Sequence, residues 1–423
     1  MDLSKKLRNV IMTYLNFSTK SLALTITFAA FLFIASCDSL LNVDTPSFVS
    51  ADDLENPNLA ELIVTGAASD FEFAFQGYVL TSAIFGNELG DATFTSARWE
   101  VDQRKIQPSS TRYVNAADFG VYSPLSTSRF AADDALRRLD NWTDAQVENR
   151  TQLIARAAAY AGYSYLLLGE AFCSAAFDLG PEVQRNEVFN LAVNRFTRAT
   201  QTAQQAGDSN ILHMASIGLG RALLNLGQTS EAANAVLNVP DGFRFDVSAS
   251  AEAGRRNNRI FQQFNGLSVT VNPSYHDLQV DGVDDPRVPV EFAATNSSGV
   301  DVYRTAKYTG FSTPIPLARS AEAKLIRAEA AGGQTAVNLI NELRAVHNLP
   351  EFNSTDENEI QEQIIEERLR EFFLESHTLY DLTRYDLPLD PAPGSQYRDQ
   401  NDTYGDQRCM PLPDVERNNN PNI

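Results

Sequence analysis

The chain has 423 residues, of which 54 are acidic and 34 are lysine or arginine, giving a formal charge of −20 at pH 7. That sign argues against nucleic acid and against direct contact with anionic lipid headgroups, and it favours neutral, zwitterionic or cationic ligands, or calcium. Beyond residue 36 no apolar run approaches the roughly eighteen residues of a transmembrane helix.

The first element is an apolar run over residues 22–35 that closes on Ile34, Ala35, Ser36 and Cys37. Lys5, Lys6, Arg8 and Lys20 form a positive flank, the run is too short for a hydrocarbon core of about 30 Å, and small residues precede the cysteine where a peptidase must fit. The pattern is that of a bacterial lipoprotein signal, with residues 1–36 removed, Cys37 acylated, and residues 37–50 serving as lipidated N-terminus and tether. Two acyl chains, at roughly 0.8 kcal/mol per buried methylene, make the expected protein anchored to a membrane and not spanning it. Loss of residues 1–36 removes four basic side chains and one acid, which moves the formal charge to −23 over 387 residues. Cys173 and Cys409 are then left over, and in an oxidising compartment they either pair or remain free thiols.

From residue 51 to 423 the chain reads as a single domain. Helical stripes over 58–75 and 129–139 flank a turn-rich segment, 78–128. Helical repeats follow around 151–240. One hairpin runs through Ala161, Gly162, Tyr165 and Gly169, breaks at 173–184, and resumes at Ala192, Phe196 and Ala199. In the next, Leu219, Gly220 and Leu223 lie on one helix, Gly227 makes the turn, and Ala232 and Val236 follow at the spacing of a tetratricopeptide repeat. Residues 240–316 form a second loop-rich segment in which Val269, Val271, Val288, Val290 and Phe292 suggest short strands. Helical repeats return around 317–384, with Ala328, a Gly332-Gly333 turn, Ala336, Ile340 and Leu343, and then a stripe through Ile360, Ile364, Ile365, Leu369, Phe372 and Phe373 behind an N-cap at Thr355 or Asp356. The tail, 388–423, is again rich in turn residues. The expected fold is therefore mainly α, a tetratricopeptide-like helical-hairpin scaffold decorated with long loops and a few short β-strands. A helix pair of this kind cannot bury its apolar face alone, so stacking several makes one continuous core.

Enzyme chemistry finds little support. Glu366, Glu367 and Glu371 with Arg368 and Arg370 can be drawn as an acid/base cluster, but on an amphipathic helix they read as a salt-bridged packing element. The histidines at 213, 276, 347 and 377 lack metal-ligand spacing. The acidic run 281–285 hints at calcium without the ligand ladder of an EF-hand loop. A glycoside hydrolase needs two carboxylates about 5–10 Å apart across a cleft, and nothing singles out a pair.

The stretch EERLREFFLESHTLYDLTR, residues 366–384, resembles the C-terminal signature of the SusD/RagB-type lipoproteins. AEAKLIRAEA followed by AVNLINELRAVHNLP resembles that family's Ala-Glu-Ala and Asn-x-x-Arg hairpin, Asp285-Pro286-Arg287 its Asp-x-Arg turn, and Pro411-Leu412-Pro413 with Glu416 and Asn420-Pro421-Asn422 its closing motif. CDSLLNVDTP after the lipobox is similar to its mature N-terminus, while Ser376-His377-Thr378 stands where the family usually has Gly-x-Arg. The resemblance implies a SusD-like fold and a non-catalytic ligand-capture lipoprotein of the outer membrane, anchored by lipid and presumed by family likeness to face the cell surface. Its implied partners are a SusC-type TonB-dependent transporter and an oligosaccharide, or in some members a peptide. A sugar-binding lid presents aromatic faces to pyranose rings, with Asn, Asp and Arg reading hydroxyls. Trp99, in a polar segment with Asn87 and Arg98, is the first candidate, and Tyr275, His276 and Tyr303 are the next; for each of them a packing role is the leading reading. A protein-only tetratricopeptide adaptor is the alternative reading.

Overall fold

In the computed structural model, residues 53–93, 95–96, 98–115, 119–252, 254–398 and 401–423 are described. The signal, Cys37 and the tether lie outside them. Residues 1–55 and 56–423 form separate units; within the first, Asp53–Glu55 makes one 3-10 turn.

The second unit opens with Asn56, whose side chain accepts the Asn58 amide and caps the turn Pro57–Leu59. Helix α1, Ala60–Phe85, follows directly and is buried along most of its length. The expected loop over 78–128 is thus too long at both ends. Tyr78, Val79, Leu80, Ile84 and Phe85 are buried, and so are the polar Gln76, Thr81 and Ser82, so a helix buried all round shows no stripe. At the other end α3, Tyr122–Asn141, starts seven residues before its stripe, because Pro124 sits in the first turn, where its missing N–H costs nothing. Between them lie β1, Leu89–Asp91, and the single-turn α2, Trp99–Asp102.

The next helices are α4, Arg150–Ala171, α5, Arg185–Ala206, α6, Ser209–Asn225, and α7, Thr229–Val236, with β2, Ser174–Ala175, and β3, Val183–Gln184, between α4 and α5. Gly162 and Gly218 explain how closely α4, α5 and α6 pack. A Cβ on either would fall 2.7 or 2.4 Å from the Phe196 ring, so the phenyl group occupies space that any other residue would fill. Asp208 caps α6 by accepting the Ile211 amide.

Residues 240–316 hold β4, Arg244–Val247, α8, Arg259–Asn265, β5, Val269–Val271, β6, Gln279–Val280, β7, Val283–Asp284, β8, Val290–Thr295, β9, Asp301–Thr305, and the start of β10, Ile315–Arg319. Helix α8 was not foreseen. Its seven residues carry one buried pair, Ile260 and Phe264, and the signal that marks it is Asn258, which caps it and also donates to the Thr313 carbonyl at 2.8 Å. Val288 lies ahead of β8 and not in a strand. The strands pair antiparallel as β1 with β5, β2 with β3, β4 with β10, β6 with β7 and β8 with β9.

Helices α9, Ser320–Ala331, and α10, Gly333–Val346, meet at the Gly332-Gly333 turn, and α11, Glu357–Glu371, begins at Asp356, whose carboxylate accepts two backbone amides. Helix α12, Thr378–Arg384, and, in the tail, α13, Asp414–Asn419, complete the chain. One apolar core runs through α1 and α3 to α6 and reaches Phe373 and Leu379, and a smaller one joins Ala328, Ile340 and Ile364 between α9, α10 and α11. Cys173 and Cys409 are joined as a disulfide with their Cα atoms 5.2 Å apart.

The charged signature of α11 is a packing device. Glu367 holds the guanidinium groups of Arg287 and Arg344, Arg368 donates to Asp381 at 2.8 and 3.1 Å, and Glu371 takes Arg319 at 2.6 Å. These residues are almost all buried, so the pairs fix α11 against β10, α10 and α12.

Candidate ligand-binding site

Pairing of β1 with β5, Leu89 opposite Val271, brings residues 87–91 beside 269–276. Asn87 ends α1 in the left-handed region, φ 68°, which asparagine tolerates better than most residues. Gly86 just before it is required by close approach, since a Cβ there would lie 2.7 Å from the Ser82 carbonyl and 3.1 Å from the Leu379 amide. After β5, the Asn272 side chain accepts from the Ser274 amide and hydroxyl and bends the chain through one turn, Pro273–Tyr275. Tyr275 and His276 then meet different neighbours.

Tyr275 stacks on Phe373 with centroids 5.0 Å apart and lines an open groove of about 310 Å³ together with Asn87. His276 lies 4.1 Å from the Tyr303 ring, and its Nε2 is 3.1 Å from the Val271 carbonyl. Tyr303 on β9 faces Phe292 on β8 across the strand pair, centroids 5.6 Å apart. The hairpin is held to β5 by Thr270, whose hydroxyl accepts the Tyr303 amide at 2.9 Å, and to the chain just after β1 and just before β5 by Asn296, whose side-chain amide donates to the Ala92 and Leu267 carbonyls. Three rings therefore form a row, His276, Tyr303 and Phe292, with Phe292 54 % exposed at its outer end. Sequence reasoning used Phe292 only as a strand marker. The signal that could have found it is its place opposite an aromatic on the neighbouring strand.

Arg98 and Trp99 stand elsewhere. Trp99 is half-buried, edge-on to Tyr397 at 6.1 Å, and Tyr397 donates to Asp102 at 2.7 Å. Arg98 lies 3.8 Å from Asp91 and over the Phe119 ring. Both cover a buried cluster of Asp91, Asp102 and Arg398, in which burial pushes Asp91 up to about 6 against the attraction of Arg398. The structure thus joins Asn87 with Tyr275 and His276 with Tyr303, and places Arg98 and Trp99 with neither pair.

In the acidic run, both carboxylate oxygens of Asp285 accept from Arg287, and Arg370 adds a third contact at 3.2 Å. Among the described residues no group of three or more His, Cys, Asp or Glu is arranged to hold a metal ion, and no helix is long and apolar enough to cross a membrane.

Glu88, next to Asn87, is fully buried and accepts the Leu374 amide at 2.8 Å. Burial pushes its carboxyl up to about 7 from an ordinary 4.5. A raised carboxyl costs nothing below pH 4.5, where both folded and unfolded chains hold the proton. The cost grows as pH rises to 7, because only the unfolded chain ionises freely there. Glu88→Gln, which copies the neutral form, is expected to stabilise the protein by on the order of 3 kcal/mol at pH 8 and hardly at all at pH 4. Urea unfolding at the two pH values checks this, and an equal effect at both would contradict it.

Residues 297–423 match the family model described as SusD family. No curated protein matches the chain. Among solved structures, a SusD superfamily protein from Bacteroides vulgatus is similar with a TM-score of 0.69 at 15% identity, covering 86% of this chain and 96% of the other. A SusD-like carbohydrate-binding protein from Bacteroides fragilis gives 0.68 at 14%, covering 87% and 99%. A laminarin-binding SusD-like protein gives 0.62 at 17%, covering 86% and 97%.

Proposed function

We propose, from the match of residues 297–423 to the SusD family model and the SusD-like fold, that the chain is a SusD/RagB-type protein that captures an oligosaccharide at the outer membrane and passes it, without turnover, to a TonB-dependent transporter of the SusC type. The observation that carries the reading is the row of rings made by His276, Tyr303 and Phe292. Pyranose rings present C–H faces that pack on aromatic faces, while hydroxyls need polar groups at the edge. Arg304 and Glu291, 2.8 Å apart, alternate with the rings along β9 and β8 and so face away from them, beside Phe261 and Phe264. Solved structures of like fold carry carbohydrate-binding and laminarin-binding descriptions, which supports a glycan as the ligand class. The lipid on Cys37 would hold the body at the membrane, and the helical scaffold offers a rigid surface for a barrel partner.

Calorimetry of the purified protein against a panel of soluble glycans tests this reading. A glycan is expected to bind with no release of reducing ends. Tyr303→Ala and Phe292→Ala are each expected to weaken it by roughly tenfold, or about 1.4 kcal/mol. A glycan that binds both variants as tightly as the parent removes the ring row from the site. Release of reducing ends would overturn the non-catalytic reading.

A further inference from the structure

The groove beside the ring row has a different chemistry. Its apolar lining comes from Ile365, Leu369 and Leu387, all half-buried, and Tyr275 contributes a ring. At about 310 Å³ it stands at the lower end of small-molecule sites, which suits one or two side chains and not a long glycan. No lysine, arginine or histidine lines it, whereas Glu362, Glu366 and Asp390 do. Glu366 is paired with Arg370. Glu362 and Asp390 are exposed, and among the described residues neither side chain has an ion-pair partner. Burial raises the Tyr275 hydroxyl well above its ordinary value, and Glu88, Glu366 and Asp390 add to the rise against a hydrogen bond with Thr378.

We propose that this groove is a second binding site, separate from the ring row, that takes a lysine or arginine side chain of a peptide together with an aliphatic neighbour. A basic side chain is apolar along its stem and charged at its tip. The apolar walls take the methylenes, and Glu362 and Asp390 meet the charge. Acidic and neutral side chains lack that match, and an acidic one is repelled. The groove is formed by α11, α12 and the turn after β5, whose positions are fixed by buried pairs such as Arg368 with Asp381, so the site is formed before a ligand arrives.

The test is calorimetry of the purified protein with three capped tripeptides, Leu-Lys-Leu, Leu-Gln-Leu and Leu-Glu-Leu. The lysine peptide is expected to bind at least tenfold tighter than the glutamine peptide, and the glutamate peptide weakest. Raising ionic strength from about 0.05 to about 0.5 M should narrow the gap, because the acids are exposed. The double variant Glu362→Gln, Asp390→Asn should erase the preference for lysine while leaving a glycan titration on the ring row unchanged. Equal binding of the three peptides, no binding, or a preference that survives the double substitution overturns the proposal. So does a dimer, seen by sedimentation, that the double variant abolishes, since that would assign the groove to a second copy of the chain. The glycan titration reports on the ring row alone, so failure of one site is read independently of the other.

Discussion

Arg221→Ala is expected to cost roughly 3–5 kcal/mol, the usual consequence of stranding a buried charge. Arg221 on α6 is 4 % exposed, and its Nε and Nη2 donate to the two oxygens of Glu170 on α4, both at 2.7 Å. Nη2 also donates to the Ser376 carbonyl at 2.9 Å, and Nη1 lies 3.1 Å from His377 Nε2. His377 Nδ1 is 2.8 Å from the Glu375 carbonyl, which makes Nδ1 the donor and leaves Nε2 to accept from Arg221. Burial and the nearby Arg221 and Arg368 push His377 well below its ordinary value, which keeps it neutral. One guanidinium thus joins α4, α6 and the entry to α12. Without it, Glu170 keeps Asn225 and Tyr78 as partners and loses the only cation within hydrogen-bond reach among the described residues. Burial already raises Glu170, and in the variant it should rise further, so the loss should deepen as pH climbs above the ordinary carboxyl range. Replacing both members, Glu170→Leu with Arg221→Met, is expected to restore much of the stability, because a buried ion pair and an apolar pair of similar volume differ little in net terms. Urea unfolding of the parent, Glu170→Leu, Arg221→Met and the double variant gives the coupling energy. A single-variant loss below about 1 kcal/mol would show that the pair is not buried in solution.

The second large effect is expected at the disulfide. Cys173 and Cys409 are 236 residues apart, and the bond closes the whole span from the end of α4 to the tail. Cross-linking so long a loop removes much of the entropy of the unfolded chain, and replacing both cysteines by serine should cost on the order of 4 kcal/mol. The folded geometry should survive. The Cys173 amide donates to the Met410 carbonyl at 2.9 Å, the Met410 amide donates to Ala171 at 2.8 Å, and Met410 is fully buried, so the tail remains docked without the bond. The expected signature is a lower urea midpoint with a steeper slope, since the variant exposes more surface on unfolding. An unchanged midpoint would mean that the bond contributes nothing to stability.

Much of the fold was legible because it is built from local signals. Asp356 announces the start of α11, Gly332 and Gly333 mark the turn between α9 and α10, and the helical period of Ala192, Phe196 and Ala199 gives the buried face of α5. Where the signal is absent the reading failed. The end of α1 is buried on every side and has no stripe, and Pro124 mimics a loop although it stands in a first turn. Helix α8 is too short for periodicity to show.

The candidate site was less legible. Tyr275, His276 and Tyr303 could be named as exposed-type aromatics in a loop-rich segment, but their partners could not. His276 meets Tyr303, and Tyr303 meets Phe292, only because β9 lies beside both β5 and β8 in one register. A slip of one residue would turn those rings to the other face. Trp99 has the composition of a ligand contact, yet it packs edge-on against Tyr397, a residue nearly 300 positions away that bonds to the buried Asp102.

By itself the sequence determined the helical scaffold and, through the motifs spread over residues 285–422, the resemblance to the SusD family that the match over residues 297–423 supports. Helix period, caps and close-packing glycines are properties of residues a few positions apart, so they can be read without knowing the rest of the chain. Only the tertiary structure decided which aromatics share a surface, which acids remain unpaired around the groove, and that Arg221 reaches from Glu170 to His377. Those contacts depend on distant segments meeting in one register, and no local pattern carries that information.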